Sequence, residues 1–162
     1  MKRVLAVVGL VVLSGCGGVP GVASVNGESI TLGEIADLTT EVTMPPERLA
    51  RFLSLLIEYR VEVPAAAELG ISVSAEEIDQ RVDELVTPVL EDLSYEAWLK
   101  TQDVTDLGVR RIAELDVLGA KLVAQVADPA AWRTTALAAA QIRVEERYGA
   151  WNPELGVVVP TS

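Results

Sequence analysis

The sequence predicts a mainly α-helical domain of about five helices, closed by a small antiparallel sheet that joins its N- and C-terminal segments. Three observations lead to this fold class. Between residues 31 and 140, apolar residues recur three and four positions apart, which is typical of helices with one buried face. Serine, threonine and aspartate stand where several of these patterns begin, as helix N-caps do. Short β-prone segments lie before and after the helical region.

The first residues differ in character from the rest of the chain. Two basic residues precede an apolar run at 4–13 and two small residues, which is the layout of a secretory signal peptide. The apolar run is about half of the ~20 residues that a membrane-spanning helix needs. The sequence Leu-Ser-Gly-Cys that ends at Cys16 resembles the bacterial lipobox.

The lipobox resemblance implies three regions. Residues 1–15 are expected to be a signal peptide that is removed, and 16–21 a lipidated cysteine with its tether. Residues 22–162 are expected to form the domain. Cys16 would carry a diacylglyceryl group, which supplies the two acyl chains that stable anchoring requires. The protein would then lie outside the cytoplasm, anchored to the cell membrane. The alternative is an ordinary secretory signal in which the cysteine is incidental.

Composition excludes several classes of function. Residues 16–162 contain eleven basic and twenty-four acidic residues, a net charge of −13, which argues against nucleic acid and against electrostatic binding to anionic lipid. The chain has no histidine, so Ser-His-Asp and Cys-His catalytic sets are excluded. With Cys16 as its only cysteine, the monomer has no disulfide. A zinc site would have to be made of carboxylates only, whereas protein zinc sites use mainly cysteine and histidine. We therefore expect no cofactor, no metal and no small-molecule substrate.

The domain is expected to open with a short strand at 22–25 and a tight turn at Asn26 and Gly27. Thr31 and Glu34 then form a capping box, which predicts a helix to about residue 40. A long helix follows from near Pro46. Pro64 lies inside its pattern and is expected to kink or break it near residue 63.

Three more helical stretches follow. Ser74 and Glu77 form a second capping box. Ser94 is expected to cap a helix that continues to about residue 126, with a bend at 103–106. Asp128, followed by proline, begins an alanine-rich helix to about residue 140. The segments 142–145 and 157–159 are β-prone, and we expect the first strand to pair with one or both of them.

Four aromatic residues are candidates for a binding groove or for closing the fold. They are Trp98, Trp132, Tyr148 and Trp151. Packing in the core or at its rim is the more frequent role of each tryptophan taken singly. We expect Arg147, Tyr148 and Trp151 to lie where the sheet meets the helices.

Two acidic groups are candidate sites. Glu76 and Glu77 could be a catalytic pair, but neighbouring helical residues point in different directions, and acids at a helix start stabilise its dipole. Asp79, Asp83 and Glu84 could bind a hard cation, but they lack the EF-hand spacing. A solvated helix face is the simpler interpretation.

Three short motifs resemble the SurA/PrsA-type extracytoplasmic chaperones. One is the segment 25–31 (Val-Asn-Gly-Glu-Ser-Ile-Thr) with the glutamate and isoleucine at 34–35. The second is 66–74 (Ala-Ala-Glu-Leu-Gly-Ile-Ser-Val-Ser). The third, 147–151 (Arg-Tyr-Gly-Ala-Trp), is similar to the closing motif of short members with a SurA N-terminal domain.

The resemblance implies a chaperone without catalysis. Many members carry a parvulin prolyl isomerase domain, for which this chain has no room between residues 126 and 128 and no histidine. What remains is the part of such proteins that holds unfolded clients, so the expected partners are unfolded or newly secreted polypeptides. The alternative is a structural or adaptor lipoprotein that binds one specific partner in the cell envelope.

Overall fold

The computed structural model describes residues 21–41, 43–90 and 92–161. The signal peptide, Cys16 and the tether up to residue 20 lie outside the described residues. The described part is mainly helical, as the sequence predicts, with six α-helices rather than about five. Its elements are β1 (Ala23–Val25), β2 (Glu28–Ile30), α1 (Leu32–Ala36), α2 (Pro46–Glu68), α3 (Ala75–Val86), α4 (Tyr95–Thr101), α5 (Asp106–Gln125), α6 (Pro129–Ala139), β3 (Ile142–Val144), β4 (Ala150–Asn152) and β5 (Val157–Val159).

The predicted closure of the domain by its two ends is confirmed for one segment. Strand β1 is central in a three-stranded antiparallel sheet, with β2 on one edge and β3 on the other. Asn26 and Gly27, both with positive φ, make the β1–β2 turn, as hairpin turns require. Asn26 also binds the chain before β3, since its side-chain oxygen accepts from the amide of Gln141 at 2.9 Å.

The other β-prone segment does not pair with β1. Strand β5 pairs with β4 in a separate two-stranded sheet, with Trp151 opposite Val158. The amide of Val158 donates to the Ser54 hydroxyl of α2 at 2.8 Å. The edge of β1 is already occupied by β3, so β5 packs on the long helix instead.

Helix α1 has the predicted capping box but ends at Ala36, before the expected residue 40. The residues that follow are held by the connection between α4 and α5. Thr39 forms an isolated bridge with Val104, and the carbonyl of Leu38 accepts from the amide of Thr105 at 3.1 Å. These bonds to a distant segment replace the further helical bonds that the sequence pattern predicted.

The expected break at Pro64 is wrong, because α2 is helical from Pro46 to Glu68. Proline removes one helical hydrogen bond, but α2 is packed on both sides of that position. Val61 belongs to the main core and Ala66 to a second buried cluster. The helix ends where Gly70 adopts φ 76° and the amide of Ile71 donates to the carbonyl of Ala66 at 3.0 Å, which is a Schellman ending.

The expected bent helix from Ser94 to residue 126 is two helices. Ser94 caps α4 as predicted, but Asp103 takes a left-handed conformation with φ 52°. Thr105 then caps α5 by accepting from the amide of Gly108 at 3.1 Å. Helix α6 begins at the predicted cap Asp128.

The buried residues of the described ranges form three clusters. The main one lies between the three-stranded sheet, α1 and α2, with Ile30, Leu53 and Ile57 fully buried. A second joins the end of α2 to the last turns of α5. The third lies between α3 and α5, around Val86 and Val109.

Candidate functional site

A cleft of about 720 Å³, which we call the apolar cleft, opens beside the third cluster. It lies between the first turns of α2, the end of α3 with the 3₁₀ turn at Thr87–Val89, α4 and α5. Its apolar lining consists of Phe52, Leu85, Val86, Val89, Trp98, Val104, Val109 and Ile112.

Helical periodicity explains how α3 and α5 build this cleft. Val82 and Val86 lie one turn apart on the buried face of α3 and pack with Val109 and Ala113 of α5. The next position along the α3 stripe is Val89, which lies beyond the end of α3 and is 49% exposed. The cleft therefore has a buried floor and an exposed apolar lip, which is unusual for side chains that have found all their partners.

Trp98 is positioned by its neighbours in α4 and α5. Its ring stacks with that of Tyr95, with centroids 6.2 Å apart and an angle of 15° between the planes. The Tyr95 hydroxyl donates to Asp106 Oδ1 at 2.9 Å. Burial and this bond to a carboxylate raise the pKa of Tyr95 to about 12. Tyr95 therefore stays protonated as a donor and fixes the side of the cleft that Trp98 lines.

Two arginines of α2 border the cleft. Arg48 is engaged, because its Nη2 donates to the carbonyl of Gln102 at 2.7 Å and its Nε lies 3.1 Å from Glu41 Oε2. Its guanidinium carbon also lies 5.9 Å from the centroid of the Phe52 ring. Arg51 is exposed and forms no salt bridge with any residue in the described ranges. A positive charge thus stands beside an apolar surface in a chain of strongly negative net charge.

A second hollow adjoins the apolar cleft across α2. We call it the β5 groove. It measures about 460 Å³ and lies between α2 and β5, with mainly apolar walls from Ala50, Leu55, Val157, Val158 and Pro160. Glu47 and Arg51 line both hollows. The two are therefore neighbours, separated by the α2 surface that carries these two charged residues.

The four candidate aromatics are not brought together in one site. Trp98 lines the apolar cleft. Trp132 packs against the second cluster, at the end of α2 and α5. Tyr148 and Trp151 pack against the main core from the C-terminal segment, and the guanidinium of Arg147 lies 4.6 Å from the Tyr148 ring centroid. Trp132, Tyr148 and Trp151 therefore pack against the core of the fold rather than line the apolar cleft.

The acidic candidates have local partners. Glu77 completes the capping box of α3 and lies 2.7 Å from Lys121 Nζ, and hydrogen bonds from Lys121 and Ser74 lower its pKa. Asp79 lies 2.7 Å from Arg110 Nη1. Across the described ranges, no three of histidine, cysteine, aspartate and glutamate come together as a metal site would require.

Glu58 and Glu62 of α2 are more buried than these acidic candidates, and they bind Arg133 of α6. Arg133 Nε donates to Glu62 Oε1 at 2.5 Å, and its Nη2 lies 2.9 Å from Glu58 Oε1. Burial raises the pKa of Glu58, although the charge of Arg133 opposes this effect. Both carboxylates are shared by one guanidinium, which is an arrangement that links two helices.

Sequence reasoning missed most of the cleft. Val89, Ile112 and Arg51 come from three separate elements, and no local motif connects them. One signal was present, since the apolar stripe of α3 continues past Pro88 to Val89, where a helix ending would leave it exposed.

No protein-family model matches the chain, and searches of the curated proteins and of the solved structures find no significant match. The resemblance to SurA/PrsA-type chaperones therefore stays a prediction from short motifs. Among the described helices, none has both the length and the apolar character needed to cross a bilayer.

Proposed function

We propose that the protein is a membrane-anchored extracytoplasmic lipoprotein that holds unfolded or newly secreted polypeptides and has no catalytic activity. The observation that supports this function is the apolar cleft with its exposed lip. Val89 and Ile112 are 49% and 41% exposed there, next to the buried floor at Val86 and Val109. Such a surface offers apolar contact to side chains that an unfolded chain exposes.

Binding would be reversible because the gain from one segment is small. Fully burying one large aliphatic or aromatic side chain contributes about 1.5–3 kcal/mol, and ordering a flexible segment offsets part of this. A few side chains in the cleft therefore give weak binding, as a protein that releases its clients needs. The net charge of −13 on residues 16–162 would keep a loaded complex soluble by repulsion.

The test is an aggregation assay of several unrelated unfolded proteins with the purified full chain. Suppression of aggregation of most of them supports a general holding function. Binding of a single folded envelope protein, without suppression, would favour the adaptor alternative instead. The same preparation should leave prolyl isomerisation of a short peptide at its uncatalysed rate of tens of seconds or longer, and a protein-dependent acceleration would contradict the non-catalytic assignment.

A matched pair of variants connects the activity to the cleft. Ile112→Asp places a charge on the exposed lip and should weaken suppression, since a carboxylate would have to lose water on contact with an apolar client. Val123→Asp makes a similar change in the same helix, at a valine that is 71% exposed and outside the cleft, and should have no effect. Equal suppression by both variants would show that the cleft is not the holding surface.

A further inference from the structure

The charged residue between the two hollows points to the kind of segment that they accept. A preference for one kind of segment rests on the proposed holding function and concerns its specificity. Glu47 and Arg51 line both the apolar cleft and the β5 groove, so a segment crossing from one hollow to the other passes these two side chains. An extended chain advances about 3.3 Å per residue, so a few residues span the surface of one helix.

Arg51 is the basic side chain of this surface that is not held by a salt bridge to another described residue. In the described part of the chain, the guanidinium of Arg48 is already held by Glu41, Asp103 and the carbonyl of Gln102. Arg51 is exposed and has no salt bridge there. Most other arginines with described surroundings are paired, for example Arg60 with Glu34 and Arg110 with Asp79.

We propose that the apolar cleft and the β5 groove form one track across Arg51, which accepts an extended polypeptide segment with apolar side chains on both sides of an acidic residue. The apolar side chains enter the two hollows, and the carboxylate pairs with the Arg51 guanidinium. Arg–carboxylate pairs are often bidentate, so the pair also fixes where the segment lies. Glu47, four residues earlier on the same helix, repels the same carboxylate and so limits the gain from the pair with Arg51.

The proposal predicts that the track prefers an acidic peptide, whereas the net charge of the whole molecule would favour a basic one. A net charge of −13 attracts basic peptides at long range. At 0.15 M salt the Debye length is about 8 Å, so the distant charges of the molecule are largely screened. The contact with Arg51 should then determine which peptide binds more tightly. The segment chosen by the track is acidic at its centre, whereas the segment chosen by the overall field is basic.

The experiment measures the affinity of the purified full chain for fluorescent peptides by anisotropy at 0.15 M salt. Two peptides share the same apolar blocks and differ only in a central Asp or Lys, and a third keeps one apolar block with the Asp. We expect the Asp peptide to bind about two- to fivefold tighter than the Lys peptide, as exposed charge pairs allow. The one-block peptide should bind at least tenfold more weakly than the two-block Asp peptide.

Two charge reversals serve as variant and control. Arg51→Glu should invert the preference, so that the Lys peptide binds tighter. Arg143→Glu, on the exposed face of β3, changes the net charge by the same amount and should leave the Asp preference intact. An inversion in both variants, or in neither, would overturn the assignment to Arg51.

The failures of the two proposals are distinguishable. If both two-block peptides bind equally well, the acidic preference is wrong while the holding function stands. If the one-block peptide binds as tightly as the two-block peptide, the hollows do not act as one track. If no peptide binds and no client is protected from aggregation, both proposals are wrong.

Discussion

Replacing Gly108 by alanine should destabilise the domain, whereas the same replacement at Gly119 in the same helix should stabilise it. The two glycines of α5 differ in what a Cβ atom would meet. At Gly108 it would overlap the carbonyl oxygen of Leu38 and lie 3.2 Å from the carbonyl carbon. At Gly119 it would have no such neighbour within 4 Å.

The magnitudes follow from these surroundings. Alanine in place of glycine inside a helix stabilises it by about 0.5–1 kcal/mol, and Gly119 should give this gain in full. At Gly108 the backbone itself has to move, and overpacking of this kind costs about 1–3 kcal/mol. The amide of Thr105, the cap residue of α5, donates to the same Leu38 carbonyl. The movement therefore also disturbs this cap, and the loss of a cap costs about 1 kcal/mol. The net destabilisation is therefore about 2 kcal/mol.

Urea titrations and thermal melts followed by circular dichroism measure both effects. One kcal/mol corresponds to about 3–4 °C in the melting temperature of a domain of this size. We expect Gly119→Ala to melt about 2–3 °C above the parent and Gly108→Ala to melt about 6–8 °C below it. If both variants shift in the same direction, the close approach of α5 to Leu38 is wrong.

Three further changes test other parts of the structure. Ending the chain after Gln141 removes β3, β4 and β5 with the buried Val158 and the Trp151 contact, and should lower stability by several kcal/mol; equal melting midpoints would show that the tail is not part of the fold. Glu58→Gln should lose stability relative to the parent as the pH falls towards 4.5. The raised pKa of Glu58 means that the folded state binds this proton more tightly, so protonation stabilises the parent and the gain vanishes as the pH rises; parallel pH profiles would contradict this. Cys16→Ser should release the protein from membranes or leave it unprocessed, and mass spectrometry of an unmodified mature Cys16 would refute lipidation.

Helix starts were predictable because a cap is formed by neighbouring residues. The boxes at Thr31 with Glu34 and at Ser74 with Glu77 are formed as expected, and Asp128 caps α6. Each depends on a side chain that reaches an amide three residues away. Sequence spacing alone therefore contains the necessary information.

Helix ends and strand partners that depend on contacts with distant residues were predicted less well. Pro64 does not end α2, because buried side chains on both sides of it hold the helix. Asp103 ends α4 through a left-handed conformation that the sequence pattern does not reveal. The partner of β5 depends on which strand already occupies the edge of β1.

The candidate site was the least predictable part. Of the four aromatics chosen from the sequence, Trp98 lines the apolar cleft, and the others pack elsewhere. The cleft is assembled from α2, α3, α4 and α5, so its lining depends on the crossing of helices. The sequence indicates the cleft only where an apolar stripe continues past the end of its helix, as at Val89.

The central position of β1 sets an order of events in time. Its second edge is filled by β3, and the Asn26–Gln141 contact beside them joins residues 115 positions apart. Helix α2 can cover Val25 and Ile30 early, since both belong to the same core cluster as Leu53. The second edge of β1, however, can be paired only after residue 144 is free to fold. A chain that is delivered from its N-terminus therefore carries an unpaired strand edge during that interval, and such edges make partly folded chains prone to aggregate.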